Sequence, residues 1–141
     1  MNFLLDTCIL SELYRGDRAN PLVRKAVEDL PEEVFFISVI TMGELVKGHY
    51  LLPEGRKKQG LQEWIHKTDK DFAQRTLPVD RDITQTWGEI SARARKKGIQ
   101  IPAADGLIAA TALCHGLYLM TRNKKDFEAT GVLIADPWAN G

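Results

Sequence analysis

The sequence predicts an α/β fold with a parallel sheet, and two features of the chain support this assignment. Short apolar runs alternate with longer segments of helical periodicity, which is the order of elements in parallel α/β proteins. The apolar runs are continuous rather than alternating, as in strands that are covered on both faces. With 141 residues, of which 44% are hydrophobic, the chain has the size of one domain with a substantial core. We therefore expect a single domain over residues 1–141.

The first elements are marked by a change from apolar to turn-forming residues. The apolar run Phe3–Leu5 stops at Asp6 and Thr7, which predicts a buried strand followed by a helix. Either polar residue is a suitable cap for that helix. Asn20 followed by Pro21 predicts the start of a second helix, because Asn is a preferred cap and Pro fits the first helical position.

The rest of the chain repeats this pattern. The apolar residues 34–37 predict a second strand, and Thr41 with Glu44 fits a capping box at the start of the next helix. We expect that helix to continue through Leu45 and Tyr50. Further strands are predicted at 76–79, 117–120 and 132–134, and further helices contain Leu61 and Trp64, Ile83 and Trp87, Leu107 and Ile108, and Phe127.

Five polar residues follow predicted strand ends. Asp6 ends the first strand, Glu44 and Asp105 lie near the starts of helices that follow strands, and Asn123 and Asp126 follow the fourth strand. Right-handed crossovers bring the carboxyl ends of parallel strands to one edge, where ligands bind. Each acid alone is explained equally well as a helix cap or first-turn residue. Several together are harder to explain this way, because clustered carboxylates repel one another.

Oxygen donors without histidine or cysteine favour Mg²⁺ or Mn²⁺, and such a site suits hydrolysis of a phosphodiester. We find no Walker loop and no Rossmann glycine pattern in the sequence. Zinc is not expected, because the histidines and cysteines lack the spacing of zinc ligands. Both cysteines, Cys8 and Cys114, lie in apolar helical context and are expected to be buried free thiols.

Charge and the N-terminal sequence narrow the functional classes. A formal net charge of zero argues against a generic nucleic-acid binder, although basic residues cluster at 56–58, 93–97 and 122–125. The start of the chain lacks the pattern of a signal peptide, and no apolar run has membrane-spanning length. We therefore expect a cytoplasmic protein without a membrane contact.

Four segments carry a resemblance to a known family: LLDTCILSEL, SVITMGELVKG, IPAADGLIAATA and LMTRNKKDF. In this order they resemble PIN domains, and more narrowly the toxin ribonucleases of the VapC/FitB type from VapBC-type toxin–antitoxin modules. The resemblance implies a three-layer α/β/α PIN-like fold with a central parallel sheet. It also implies an Mg²⁺-dependent endoribonuclease, with Mn²⁺ as a substitute, that forms a homodimer and contacts DNA only through its antitoxin. The cognate antitoxin would be a small DNA-binding protein with an amphipathic tail.

The family's acids map onto three residues of this sequence. Asp6 and Asp105 would be the principal metal ligands, and Glu44 would bind the metal through water or orient the attacking water. The family often has a fourth acid where this chain has Asn123. Asp126 lies three residues further on and is the alternative for that position, so the number of metals stays open.

Three residues close to Asn123 in the sequence also receive expected roles. Thr121 resembles the family's hydroxyl residue near the site, and Arg122 and Lys124 would contact phosphates.

Two other functions compete with a ribonuclease toxin. The C-terminal half, including the closing DPW, resembles FitB, which would make the chain a FitB-like subunit of a DNA-binding regulatory complex with little nuclease activity. The other alternative is an interaction domain without a metal. An antitoxin tail is expected on the helix faces that carry large apolar residues, namely Leu45, Tyr50, Leu61 and Trp64.

Overall fold

A five-stranded parallel sheet in the order β3-β2-β1-β4-β5 forms the centre of the fold. We describe it from a computed structural model that covers residues 1–139. Every pairing between neighbouring strands is parallel, which confirms the predicted class. The strands are β1 Phe3–Leu5, β2 Phe35–Ser38, β3 Thr76–Leu77, β4 Tyr118–Met120 and β5 Ile134–Ala135.

Helices cover both faces of this sheet. Residues on alternate faces of β1 belong to different cores: Leu4 packs with Ile108 of one helical layer, whereas Phe3 and Leu5 pack with Ile9 of the other. The three-layer architecture expected from the resemblance is therefore confirmed. The α-helices of the described chain are α1 Thr7–Tyr14, α2 Pro21–Glu28, α3 Val39–Leu51, α4 Arg56–Asp71, α5 Arg81–Lys96, α6 Ala103–His115 and α7 Lys124–Phe127.

The predicted capping box of α3 is wrong. The helix begins at Val39, because the side chain of Ser38 accepts a hydrogen bond from the Ile40 amide and caps it three residues earlier than expected. Thr41 is instead fully buried, and its hydroxyl has no hydrogen-bond partner within residues 1–139. Glu44 consequently lies in the second turn of α3, where a capping role does not explain it.

Some smaller expectations also change. Both cysteines are free thiols as predicted, but Cys8 is only half-buried, and Cys114 is exposed on the outer side of α6. Strand β5 starts two residues later than predicted, in register with Leu119 and Met120 of β4. Leu45 is buried in the core, so it is not part of an exposed partner surface. Within the described chain, no helix combines the length and apolar character needed to cross a membrane.

Candidate active site

The candidate site lies where the strand order reverses. β1 pairs with β2 on one side and with β4 on the other, although β4 is the fourth strand along the chain. The crevice at the carboxyl ends of two such strands is the usual ligand site in parallel sheets. Asp6 follows β1 and Thr121 follows β4. The amide of Asp6 donates to the carbonyl of Met120 at 3.0 Å, which joins the two strand ends.

Asp6 is held at this point by both of its carboxylate oxygens. Its Oδ1 accepts a hydrogen bond of 2.8 Å from the amide of Thr7, and thereby caps α1. Its Oδ2 accepts a hydrogen bond of 2.7 Å from the hydroxyl of Thr121. The residue is only 6% exposed, and these two bonds compensate for the loss of water around its charge. Asp6 is therefore a helix cap and a member of the polar cluster at once.

Glu44 reaches the same cluster through Thr7, whose only predicted role was that of a possible helix cap. The hydroxyl of Thr7 donates to Oε1 of Glu44 at 2.5 Å, which links the start of α1 to the second turn of α3. Glu44 is half-buried. Thr7 is adjacent to Asp6, and this adjacency was the only signal in the sequence for its role.

Asp105 provides the electrostatic evidence for a shared site. It lies in the first turn of α6, but no side chain caps this helix. Burial, followed by the negative charges of Asp6, Asp126 and Glu44 in that order of importance, raises the pKa of its carboxyl to about 6. Three acids from other parts of the chain are therefore close enough to act on the charge of Asp105, which agrees with the common edge predicted from the topology.

The fourth family position lies on the exposed segment after β4. The amide of Asn123 donates to the hydroxyl of Thr121 at 3.1 Å, and the amide of Asp126 donates to the carbonyl of Asn123 at 3.0 Å. Both side chains are exposed. Asp126 acts on the pKa of Asp105, which places its charge near the cluster. The guanidinium of Arg122 lies 5.2 Å from the centre of the Trp138 ring, and Lys124 is exposed.

Cys8 is a further neighbour of the acids, for which the sequence predicted no role at the site. Its sulfur lies 3.5 Å from Oγ1 of Thr121 and 3.7 Å from Oδ2 of Asp6. Burial raises the pKa of this thiol, and the charge of Asp6 raises it as well, although hydrogen bonds to Arg122 and Thr121 act in the opposite direction. The protonated thiol therefore donates a weak hydrogen bond toward Asp6.

The donor set fits a hydrated Mg²⁺ ion better than a fully caged metal. Within residues 1–139, no three His, Cys, Asp or Glu side chains are grouped closely enough to form a ready-made metal site. Magnesium usually keeps several waters and needs only one or two carboxylates directly. Oδ1 of Asp6 retains a lone pair beyond its hydrogen bond from the Thr7 amide, and Asp105 supplies a second, half-buried carboxylate.

Comparison with known proteins places this geometry in a family. The model of the PIN domain matches residues 3–133. The VapC ribonuclease Y4jK of Sinorhizobium fredii is 36% identical over 138 residues, which cover 96% of either chain. Toxin FitB of Neisseria gonorrhoeae is 38% identical over 136 residues, which cover 96% of this chain and 97% of FitB.

The fold agrees with these sequence relationships. The structure of FitAB bound to the IR36 DNA fragment contains a chain that superposes with a TM-score of 0.89 at 35% identity, covering 99% of this chain and 97% of that one. The match of the family model spans β1 to the segment before β5, and thus every residue of the acidic cluster. The chain belongs to the PIN-domain family, as a toxin of the VapC/FitB type.

Proposed function

We propose that this chain is an Mg²⁺-dependent endoribonuclease, the toxin component of a type II toxin–antitoxin module, with Mn²⁺ able to replace Mg²⁺. The observation that carries the proposal is the meeting of acids at the ends of β1 and β4, where Thr121 binds Asp6 and Thr7 binds Glu44. Burial and the charges of Asp6, Asp126 and Glu44 raise the pKa of Asp105, which supports this placement. Such repulsion between acids destabilises the fold unless a cation compensates for it. The acids lie at the carboxyl edge of a parallel sheet, where ligands bind.

Asp6 and Asp105 would hold the metal, and Glu44 would bind it through water. When bound, Mg²⁺ would activate water and offset charge on the scissile phosphate. The chain's own contribution is to fix the donors in place. Thr7 holds one oxygen of Glu44, and Thr121 holds one oxygen of Asp6, so both carboxylates are oriented before RNA binds.

The segment after β4 would complete the site. Asn123 offers a neutral oxygen and Asp126 a charged one, and both are exposed toward solvent. Arg122 and Lys124 would contact phosphates of the RNA, because they lie on the same exposed segment.

RNA cleavage by the antitoxin-free protein tests this function. The wild type should cut RNA with Mg²⁺ or Mn²⁺ and stop cutting in EDTA, and Asp6→Asn or Asp105→Asn should abolish cutting because each removes an anionic ligand. Asp29→Asn is the matched control, since Asp29 is an exposed acid at the end of α2 that pairs with Lys25 at 3.3 Å. Undiminished cleavage by both site variants would refute the assignment.

The partners follow from the relatives. FitB of Neisseria gonorrhoeae is a toxin, and the superposed chain comes from a complex of FitAB with DNA. We propose that this chain likewise forms a homodimer that a small antitoxin inhibits, and that it contacts DNA only through that antitoxin. The simplest check is genomic: a short reading frame directly upstream should encode a DNA-binding domain with an amphipathic tail.

A second candidate function is a regulatory subunit with little nuclease activity. The similarity to the FitAB–DNA complex favours it, because that complex shows a chain of this fold bound to DNA with its partner. The two functions differ in one measurement. A regulatory subunit would support DNA binding of the complex while the free wild type and Asp6→Asn show the same background on RNA.

A further inference from the structure

A second hollow lies beside the acidic cluster and is not explained by it. This cavity, of about 600 Å³, lies between the C-terminal half of α5 and the segment that leads into α6. On the α5 side it is lined by Trp87, Ser91 and Arg95, and on the other side by Ile99, Ile101 and Ala103. Ile99 is 45% exposed, so the apolar wall is open to solvent.

The position of the cavity connects it to the proposed reaction. Ala103 begins α6, and Asp105 follows two residues later, a rise of roughly 3 Å along the helix axis. A separate hollow of about 490 Å³ is lined by Glu44 of α3 and by Ala104 of α6. The first turn of α6, which carries Asp105, therefore has a hollow on either side.

The residues that line the cavity combine an apolar surface with polar atoms that lack partners. Nε1 of Trp87 and Oγ of Ser91 are buried, and neither has a hydrogen-bond partner within residues 1–139. An unpaired buried polar group is costly. The indole N–H is a donor only, whereas the serine hydroxyl is both donor and acceptor. Both atoms are closed to solvent, and Nε1 of Trp87 lies on the side of Gly106. The accessible lining contributed by Ile99, Ile101 and the indole of Trp87 is therefore mainly apolar and suits a flat ring.

Basic residues near the cavity indicate that its ligand is part of a polyanion. The last turn of α5 is basic: Arg95 lines the cavity, and Arg93, Lys96 and Lys97 are exposed at the same end of the helix. In the described part of the chain, none of these four side chains takes part in a salt bridge. Proteins bind single-stranded nucleic acid with this combination of basic side chains and an adjacent apolar surface on which a base can stack.

We propose that this cavity is a subsite for one unpaired base of single-stranded RNA, adjacent to the scissile phosphate, with Arg95 on a backbone phosphate. The inference rests on the proposed ribonuclease function and names the form of its substrate. Sequence-specific recognition of RNA relies on unstacked bases that proteins receive in pockets. The subsite therefore also determines which nucleotide is accepted next to the cleaved bond.

Binding of single-stranded RNA octamers in EDTA tests the subsite without cleavage. The probes are oligo(A), oligo(U), oligo(C) and an abasic ribose-phosphate octamer of equal charge. Nitrogen-15 NMR reports on the indole N–H of Trp87, assigned by its loss in Trp87→Phe, and fluorescence anisotropy gives the affinities. We expect the Trp87 signal to move with at least one of the RNAs and to stay in place with the abasic octamer.

A matched pair of variants separates the subsite from general attraction between charges. Arg95→Gln should weaken RNA binding roughly tenfold, the loss typical of a charged hydrogen bond. Arg93→Gln removes the same charge from the same turn without touching the cavity, and should have a clearly smaller effect. Both residues are exposed, so neither change should prevent folding.

Three results would overturn the subsite: an unmoved Trp87 signal with every RNA, an equal shift with the abasic octamer, or equal losses for the two arginine variants. A Trp87 signal that moves with protein concentration alone would assign the cavity to a second copy of this chain and also refute the proposal. Cleavage without a Trp87 response would refute the subsite only. A base-dependent Trp87 response without cleavage would support the subsite and refute the proposed catalysis.

Discussion

At the scale of single residues, Asp6 shows that capping a helix and serving a site are compatible roles. One carboxylate oxygen accepts from the Thr7 amide and the other from the Thr121 hydroxyl. The two bonds come from elements far apart in sequence, so they fix the carboxylate in direction as well as position. The sequence left open whether Asp6 was a cap or a site residue, and the geometry shows why the question had no single answer.

Asp105 gives a prediction about stability and pH. Its carboxyl has a pKa of about 6 in the fold and about 3.9 in an unfolded chain. Because the folded pKa is the higher one, its contribution to the free energy of unfolding is complete below about pH 4 and is lost as the pH rises through about 6. In Asp105→Asn the side chain cannot ionise, so the variant does not lose this stability as the pH rises. In EDTA, the melting temperature of the variant should rise relative to the wild type between pH 4 and 6, and the difference should stay constant above.

Addition of Mg²⁺ supplies the second half of this experiment. Mg²⁺ should stabilise the wild type by mass action at neutral pH and the variant much less. Asp29→Asn, which changes an exposed acid paired with Lys25, should follow the wild type under every condition. If Asp105→Asn melted clearly lower in EDTA and gained as much from Mg²⁺ as the wild type, Asp105 would be a structural helix residue.

The fourth family position gives another prediction at this scale. Asn123 offers an oxygen without charge, whereas Asp126 already contributes charge that raises the pKa of Asp105. We expect Asn123→Asp to tighten Mn²⁺ binding, because it adds a carboxylate directly after Thr121 and Arg122. Asp126→Asn should weaken binding only modestly, since its side chain is exposed. Calorimetry that gave the reverse order would mean that Asp126 has taken the fourth role.

Single residues also show the limit of sequence reasoning about the site. Asp6, Glu44 and Asp105 were identified because acids after buried strands are uncommon without a partner, and their placement at one edge followed from the topology. Their roles as metal ligands stay predictions. Thr7 and Cys8 were not identified as neighbours of the acids, because contacts such as the one from Thr7 to Glu44 depend on how two helices pack. Hydroxyl and thiol groups carry no charge pattern that a sequence would reveal.

At the scale of elements, helix starts were predicted well where one local signal acted and poorly where two competed. Asn20 caps α2 through a bond from the Leu22 amide at 2.8 Å, as its sequence predicted. For α3, both Ser38 and the Thr41–Glu44 pair were suitable caps. Ser38 acts as the cap because the chain turns directly at the end of β2, and the strand length that decides this is set by pairing with β1 and β3.

The packing of α5 on α6 gives a prediction that tests this interface. A Cβ atom on Gly106 would lie 2.8 Å from Cδ1 of Trp87, closer than side chains tolerate. Gly106→Ala should therefore destabilise the protein by about 1–3 kcal/mol, although alanine is the better helix former. Gly88→Ala is the matched control, because nothing lies within 4 Å of its added Cβ. It should stabilise the protein by up to about 1 kcal/mol. Urea denaturation measures both.

A double variant identifies the cause of the loss. Trp87→Leu removes the atoms that the new methyl group would meet, so Gly106→Ala should cost much less in that background than in the wild type. A cost that is the same in both backgrounds would show that the indole is not the group that Gly106 accommodates.

At the scale of the whole molecule, the fold brings together the carboxyl ends of β1 and β4, which are followed by Asp6 and Thr121. The sequence predicted a parallel sheet and a common edge, but not the order β3-β2-β1-β4-β5. Periodicity reports which residues are buried, whereas strand order depends on which crossover spans how many strands. That order is what pairs Leu5 with Met120 and makes Asp6 and Thr121 neighbours. The sequence therefore predicted the edge of the sheet at which the site residues lie, but not that the ends of β1 and β4 are neighbours there.

The surface of the whole molecule bears on the partner. The structure corrects the predicted apolar surface at Leu45, which is buried, and agrees with it at Tyr50, which is 71% exposed. Leu61 and Trp64 are half-buried against the core. Leu51 next to Tyr50 is 75% exposed, and both lie at the end of α3 before the turn into α4. Large apolar side chains exposed side by side are typical of partner sites, and the amphipathic tail of an antitoxin would supply the matching face.

Charge-introducing variants test this surface in the complete complex. With the chain co-expressed beside its upstream reading frame, Tyr50→Asp and Leu51→Asp should reduce co-purification of the antitoxin and restore RNA cleavage in the complex. Neither should lower the melting temperature of the free protein, because the wild-type side chains bury little surface. Leu133→Asp, at a residue that is 60% exposed and precedes β5, should leave the complex intact. If the Tyr50 and Leu51 variants retained the antitoxin and instead lost the homodimer in light scattering, this surface would belong to the second copy of the chain.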